Sequence, residues 1–398
     1  MTALFIRYIH SLAAARIPRP VSRQRRFALL RADESPGYWQ GPAPAVAQQF
    51  GMYYVHDVHD GFAMLGYYAR GRCIYKRMGR PKGRRGYAGG DPWKDHVRGH
   101  CGVVVDGLKA KPVDNGNQGC ANQRVRELLA PEVKFCAVQA AGVYPDVDQE
   151  RALVLTGEYL LDVFRLASGR PRVYDWQVLA FGKAVSTGDW RALVAISAET
   201  TRKRFTKPHL SATKLIVHDD KPWSVVVMQD DVARPRGVGV KCSMLGEAGT
   251  GVLVAAPPGV AEGKGTAVMA TRTKAATVFT VLHEPFEGGP AKAPKTRFEA
   301  VGRSGGALGV RVIGPAADDR VLLAFGPAAT RKATIAGGGE SFTFTAQAWI
   351  RIAAGKVVAR GGIGAMKLKV TGRPKLTVNG KPAAASVSGG VLSYRAAD

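Results

Sequence analysis

The sequence predicts a mainly β protein: a large two-sheet antiparallel β-sandwich with a short, partly helical N-terminal remnant and a β-rich C-terminal segment. Three observations predict it. Short β-branched runs succeed one another from Phe50 onward, Gly, Pro and Asp turns separate them, and long helical periods are missing. Stacking two sheets lets such strands bury apolar faces against each other.

The N-terminal segment, residues 1–48, is read as basic and as a remnant of a helical domain. It carries Arg7, Arg16, Arg19, Arg23, Arg25, Arg26 and Arg31 with no carboxylate before Asp33, and a short helix is expected near Leu12. Its apolar run Leu12 to Ala15 is too short for a secretory signal. Ser35 to Ala47, with Pro36, Gly37, Gly41, Pro42 and Pro44, reads as a linker.

Residues 49–300 form the expected sandwich. Gly102 to Val105, Arg151 to Leu155, Tyr159 to Phe164, Ser224 to Met228 and Thr277 to Val281 are its clearest strands, and Asn122 to Leu129 is the one place where a short helix is expected within it. Residues 301–398 form a β-rich C-terminal segment, or small β-domain, with strands at Ser341 to Ile352 and Lys367 to Val378. Asn379-Gly380 is a hairpin turn.

Charge separates function classes better than composition does. Across 398 residues, 57 Lys and Arg stand against 31 Asp and Glu, a formal charge of +26. Such an excess points to an anionic partner: nucleic acid, acidic polysaccharide or an anionic surface. No aromatic RNA-recognition signature, zinc-finger spacing or basic heptad helix accompanies the charge, so nucleic acid is disfavoured. No run reaches the roughly 18 apolar residues that would span a bilayer as a helix. The 5 cysteines are odd in number and include no C-x-x-C pair, leaving at least one thiol unpaired within the chain.

Chemistry concentrates between His56 and Asp106, which holds half of the 8 histidines. The stretch opens with His56-Asp57-Val58-His59-Asp60 and closes with His100-Cys101-Gly102-Val103-Val104-Val105-Asp106-Gly107. If Met64 to Tyr68 and Gly102 to Asp106 were neighbouring strands, histidines distant in sequence would meet at one sheet end. Such a pair can serve as general acid and base, metal ligand or charge partner. Cys101 beside His100 invites a Cys/His nucleophile reading, but adjacent strand residues face opposite ways, which favours a half-buried thiol.

In order, these landmarks resemble the C-terminal half of the heparinase II/III-like polysaccharide lyases, a group that includes oligoalginate lyases. The likeness runs from His56–Asp60 through Ala69-Arg70-Gly71-Arg72 and Trp93 to His100–Gly107, where the family commonly has His-Asn-Thr-Val-Val-Val-Asp-Gly. It continues through Asp148–Leu155, Tyr159–Phe164, Tyr174-Asp175-Trp176 and His283-Glu284-Pro285-Phe286, covering about residues 50 to 300.

The resemblance implies β-elimination of uronic-acid polysaccharide, with an N-terminal helical toroid facing a β-sandwich, in a periplasmic or extracellular setting. A base must take the proton beside the uronate carboxylate, an acid must protonate the departing oxygen, and a cation must stabilise the developing charge. His56, His59 and Tyr54 are the catalytic candidates, and Arg84, Trp93 and Arg98 the substrate-binding ones. His59 and His100 are the candidate ligands of a zinc ion.

The pattern also departs from the family. Its two histidines are separated by one residue, whereas His56 and His59 are separated by two. Alignment from Gly71 puts His59 on the ligand position and Asp57 on the catalytic one. Alignment on Asp60 instead puts His56 on the catalytic position and Val58 on the ligand. Lys76-Arg77-Met78-Gly79 stands where an acidic ligand would precede Gly. Without a toroid supplied by upstream sequence, weak or no activity is expected. The alternative is a non-catalytic β-sandwich module that binds acidic polysaccharide.

Overall fold

The computed structural model describes residues 21–22, 27–35, 37–38, 41–49, 62–76, 100–108, 124–185, 194–195, 211–217, 221–229, 237–257 and 264–396. These residues are mostly strand and form two large sheets, antiparallel but for one pairing in the second. No helix among them is long and apolar enough to cross a membrane.

The first sheet begins with β1 (Val21–Ser22), β2 (Phe27–Arg31), β3 (Ala45–Gln49), β4 (Met64–Ala69), β5 (Arg72–Lys76) and β6 (Gly102–Val105). It continues with β7 (Arg124–Leu129), β8 (Lys134–Tyr144), β9 (Val147–Leu155), β10 (Leu160–Phe181), β11 (Lys183–Val185) and β12 (Val194–Ala195). It ends with β13 (Ser211–Val217), β14 (Trp223–Gln229), β15 (Val238–Met244), β16 (Gly251–Ala256) and β17 (Gly265–Glu287). The second sheet comprises β18 (Arg297–Ser304), β19 (Ala307–Ile313), β20 (Asp318–Ala324), β21 (Lys332–Gly337) and β22 (Glu340–Ala353). To these it adds β23 (Lys356–Lys369), β24 (Lys375–Val378), β25 (Lys381–Pro382), β26 (Ser386–Ser388) and β27 (Val391–Arg395).

Two long strands organise the sandwich. β10 and β17 pair from Leu160↔His283 to Phe181↔Gly265, with a register shift between Ala167 and Arg172. Before the shift, β9 flanks β10 and β15 flanks β17; after it, β6 and β5 flank β10 and β16 flanks β17. One hydrogen-bonded sheet thus supplies both layers. The main core lies between them, joining Cys136, Leu153 and Phe164 of one layer to Tyr67, Trp176 and Val268 of the other. The opposite side of the β8–β9–β10 layer packs Phe135, Val154 and Leu161 against Leu308, Val321 and Trp349 of the second sheet. Covered on both faces, Leu160 to Val163 form a buried run rather than an alternating one, as a doubly covered strand should.

The expected helix at Asn122 to Leu129 is overturned where it is described, because Arg124–Leu129 is a strand paired with β8. Its side chains obey a period of two. Val125 packs on the main core, while Leu128 packs toward the second sheet and Arg126 donates to the carbonyls of Ala324 and Ala346 there. Pairing along β8 outweighs helix propensity. The helix expected near Leu12 lies outside the described residues, and the described part of residues 1–48 adds β2 and β3 to the first sheet. The single strand expected from Lys367 to Val378 is divided, since Gly372 has a φ of 70° and Pro374 has no amide hydrogen to donate. The Asn379-Gly380 turn, with φ of 51° and 84°, joins β24 to β25.

Candidate functional site

Of the residues singled out by sequence, Tyr54, His56, His59, Arg84, Trp93 and Arg98 lie outside the described residues. His100 is described. It sits at the head of β6 with 1% of its surface exposed, and its carbonyl accepts a 2.7 Å hydrogen bond from Gln177 Nε2.

The structure does bring the ends of the two motif segments together, though not as the expected neighbouring strands. β4 has β3 and β5 as its partners, while β6 pairs with β10. The reason is the hairpin at Arg70-Gly71, whose φ values of 54° and 72° return the chain at once into β5. β5 then reaches β10 at Tyr75↔Ala180, beyond the stretch of β10 that β6 occupies. The two segments meet at one bridge, where Met64 N–H donates to the Cys101 carbonyl at 2.8 Å.

Arg151 fastens this junction. Its Nη1 donates to the Phe62 carbonyl at 2.6 Å and the Cys101 carbonyl at 2.8 Å. Nε and Nη2 form a fork on Asp162, at 2.9 and 2.7 Å, and both side chains are fully buried. The pair arises from the β9–β10 register: Leu153 faces Asp162 and Phe164 faces Arg151, so the charged residues are diagonal neighbours on the inner face. Trp176 Nε1 donates to Asp162 Oδ2 at 3.2 Å, and the Arg151 guanidinium lies 5.4 Å from the Phe164 ring centre. Phe62 is held at a φ of 63°, a left-handed conformation that costs a non-glycine residue about 1–2 kcal/mol. The guanidinium on its carbonyl and the Phe164 ring 6.3 Å from its own ring hold it there.

Beside this pair lies a second sealed polar group. His283 Nδ1 shares a 2.8 Å hydrogen bond with the Tyr75 hydroxyl, and the imidazole stacks on Trp176 at 6.1 Å between ring centres. Cys242 is its cross-strand neighbour on β15. Burial lowers the His283 pKa to about 4; the Asp162 carboxylate opposes that shift and Arg151 adds to it. The imidazole is therefore neutral at pH 7. Burial also raises the Tyr75 and Tyr67 hydroxyls above their ordinary range.

Cys101 is no nucleophile in this arrangement. Its side chain is fully buried, Sγ accepts from the Leu179 amide at 3.3 Å, and burial raises the thiol pKa to about 12. A nucleophilic cysteine needs the reverse, an exposed thiol with a lowered pKa.

Among the described residues, no group of three or more His, Cys, Asp or Glu could hold an ion. The other candidate zinc ligand, His59, lies outside them, and β5 ends in Lys76 where an acidic ligand would be expected.

Sequence reading missed Arg151, Asp162, Trp176 and His283 as a unit, although each falls within a landmark of the resemblance. The available signal was a charge set in a β-branched run, Arg151 before Ala152-Leu153-Val154 and Asp162 between Leu161 and Val163. Charges placed so deep in a double-covered strand are paired when buried.

No family model and no curated protein matches this chain. Among solved structures, a mutant heparan sulfate lyase from Pedobacter heparinus is similar at TM-score 0.45 and 12% identity, over 73% of this chain and 40% of that one. A heparinase III gene product is similar at TM-score 0.47 and 12% identity, over 74% and 40%. Another heparinase III gives 0.44 and 12%, over 76% and 42%. The chain thus spans about two-fifths of the length of these structures.

Proposed function

We propose that this chain carries the β-sandwich side of a polysaccharide lyase site, cleaving uronic-acid-containing polysaccharide by β-elimination. The observation that supports it most directly is the pair of Arg151 Nη1 bonds to the Phe62 and Cys101 carbonyls. Those bonds tie the residue three positions after His59 to the one directly after His100, which supports a composite site built from both segments.

On this reading His56 or His59 takes the proton beside the uronate carboxylate, and Tyr54 returns a proton to the departing glycosidic oxygen. Arg84 and Arg98 hold the carboxylate in substrate binding, and Trp93 stacks on a sugar ring. Zinc held by His59 and His100 belongs to the same proposal, although the described residues supply no third ligand.

Incubation with heparin, heparan sulfate or alginate tests the reading through the rise in ultraviolet absorbance of the unsaturated uronate product. Residues 1–398 with a helical wall supplied opposite the sandwich should produce that rise, and residues 1–398 without one should show little or none. In the active protein, His56→Ala or His59→Ala should lower the rate by about a hundredfold or more. Full activity in both variants would overturn the assignment. One observation favours the second reading, a non-catalytic module for acidic polysaccharide: His100 and His283 are both sealed from solvent. Tight polysaccharide binding with no absorbance rise, even with a helical wall supplied, would decide for it.

A further inference from the structure

The second sheet presents a surface that the proposed cleavage site does not use. At one end, β22 and β23 place Trp349 and Val358 against the first sheet. Further along, the same face runs free of that contact and is completed by β21, β27 and β26. Here the inward residues, among them Ile335, Phe344, Leu368 and Leu392, fill the sheet's own core. The outward positions are cations, hydroxyls and small side chains.

Strand register sets their spacing. Lys332 lies across from Thr345, Thr334 from Thr343, Lys367 from both Ser341 and Ser393, and Arg395 from Ala365. Lys332, Lys367, Lys369 and Arg395 are all exposed, and none pairs with a carboxylate among the described residues. The five strands contain one carboxylate, Glu340, which is buried and bonded to Arg320 at 2.7 and 3.1 Å. Elsewhere the sheet neutralises its arginines: Arg311 meets Asp318, Arg351 meets Asp319 and Arg360 meets Glu132. The strands of this half-face supply no such partner for Lys332, Lys367, Lys369 or Arg395, so among the described residues their charge stands uncompensated. Like charges on neighbouring strands repel one another, and an added anion relieves that repulsion.

We infer that this half-face of the second sheet binds a linear polysaccharide bearing carboxylate or sulfate groups, laid across β21, β22, β23 and β27. Strands about 4.8 Å apart, with outward side chains about 7 Å apart along each, make a flat lattice of charge and hydroxyl. Lysines and Arg395 meet the acidic groups, while hydroxyls such as Thr334, Thr343 and Ser393 meet sugar hydroxyls. The outward positions carry no aromatic side chain, since Tyr394 packs inward on the core. Single-stranded nucleic acid, which binds by stacking bases on aromatic rings, has no platform here. The inference is independent of catalysis and holds for either reading of the cleavage site.

The test compares the full chain with Lys367→Glu/Lys369→Glu and with Lys356→Glu/Lys375→Glu. The second pair lies at the opposite end of β23, where Lys356 and Lys375 are exposed neighbours, and changes net charge equally. Heparin and alginate are the probes, with dextran as neutral control and oligothymidine as nucleic acid. The first double variant should bind both acidic polysaccharides about tenfold or more weakly at low salt, and the second at most about threefold more weakly. Arg395→Glu, on another strand, should reproduce the direction, and melting temperatures should match the parent in all three. Equal weakening by the two double variants would reduce the effect to overall charge and overturn the inference. So would oligothymidine binding more tightly than either polysaccharide and being lost with Lys367→Glu/Lys369→Glu. Cleavage of short oligosaccharides, read separately, reports on the proposed catalytic site alone.

Discussion

Arg151 grips Asp162 through two hydrogen bonds of 2.9 and 2.7 Å at a point where neither side chain meets solvent. The same guanidinium holds the carbonyls of Phe62 and Cys101, the residues at which the two histidine-bearing segments enter the sheet. A buried ion pair of this kind adds little net stability over a well-packed apolar pair, but it becomes costly once halved. Its value here is positional, because four donor directions in one plane fix four acceptors relative to one another.

Asp162→Ala should therefore destabilise the fold by about 3–5 kcal/mol, since it leaves the Arg151 charge buried without its partner. Urea unfolding followed by circular dichroism measures it. A loss below about 1 kcal/mol, the range of exposed pairs, would mean that solvent reaches the guanidinium.

His283 makes stability depend on pH in a known direction. Its folded pKa of about 4 lies below its ordinary value of 6.5. Between those values the unfolded chain takes up a proton that the folded chain refuses, so its contribution is present above pH 6.5 and is lost as pH falls toward 4. The loss amounts to about 3 kcal/mol at most. Tyr75, Cys242, Asp162 and Arg151 surround the imidazole in the unsubstituted protein, and His283→Gln should flatten the slope between pH 7 and 5. An unchanged slope in that variant would assign the acid sensitivity to other groups.

The buried thiols should be inert while the chain is folded. Burial raises Cys101 and Cys136 to about 12 and raises Cys242 as well, so few thiolates exist at neutral pH. A maleimide reagent followed by peptide mass spectrometry should label Cys73, which is half-buried, well ahead of these three. Labelling of Cys101 at a comparable rate would show that the Met64–Cys101 junction opens.

Within the proposed lyase reading, Arg84→Ala, Arg98→Ala and Trp93→Ala should act chiefly through substrate binding. Each should raise KM by about tenfold, with the arginine effects shrinking at high salt, while the histidine variants act chiefly on kcat. Steady-state kinetics on one polysaccharide separates the two patterns. A pure kcat effect for both arginines would move them from binding to charge stabilisation in the transition state.

Local chemistry alone determined much of this fold. Short β-branched runs between turn residues placed β6, β9, β14 and the Thr277 to Val281 part of β17, and Asn379-Gly380 placed a turn, because strand propensity and left-handed φ preferences act within a few residues. The sequence likewise carried the charge excess and the order of landmarks that resembles the lyases.

Tertiary structure decided the rest. Arg124–Leu129 became a strand because β8 offered it a partner. β10 and β17 run through both layers because their register shift lets one sheet fold over itself. Arg151, Asp162, Trp176 and His283 converge from three strands, and only that convergence distinguishes a buried, paired charge from a solvated one. The histidine segments likewise touch at the Met64–Cys101 bridge rather than along adjacent strands. In each case the deciding contact joins residues far apart in the chain, where long-range register and burial act and local preference does not.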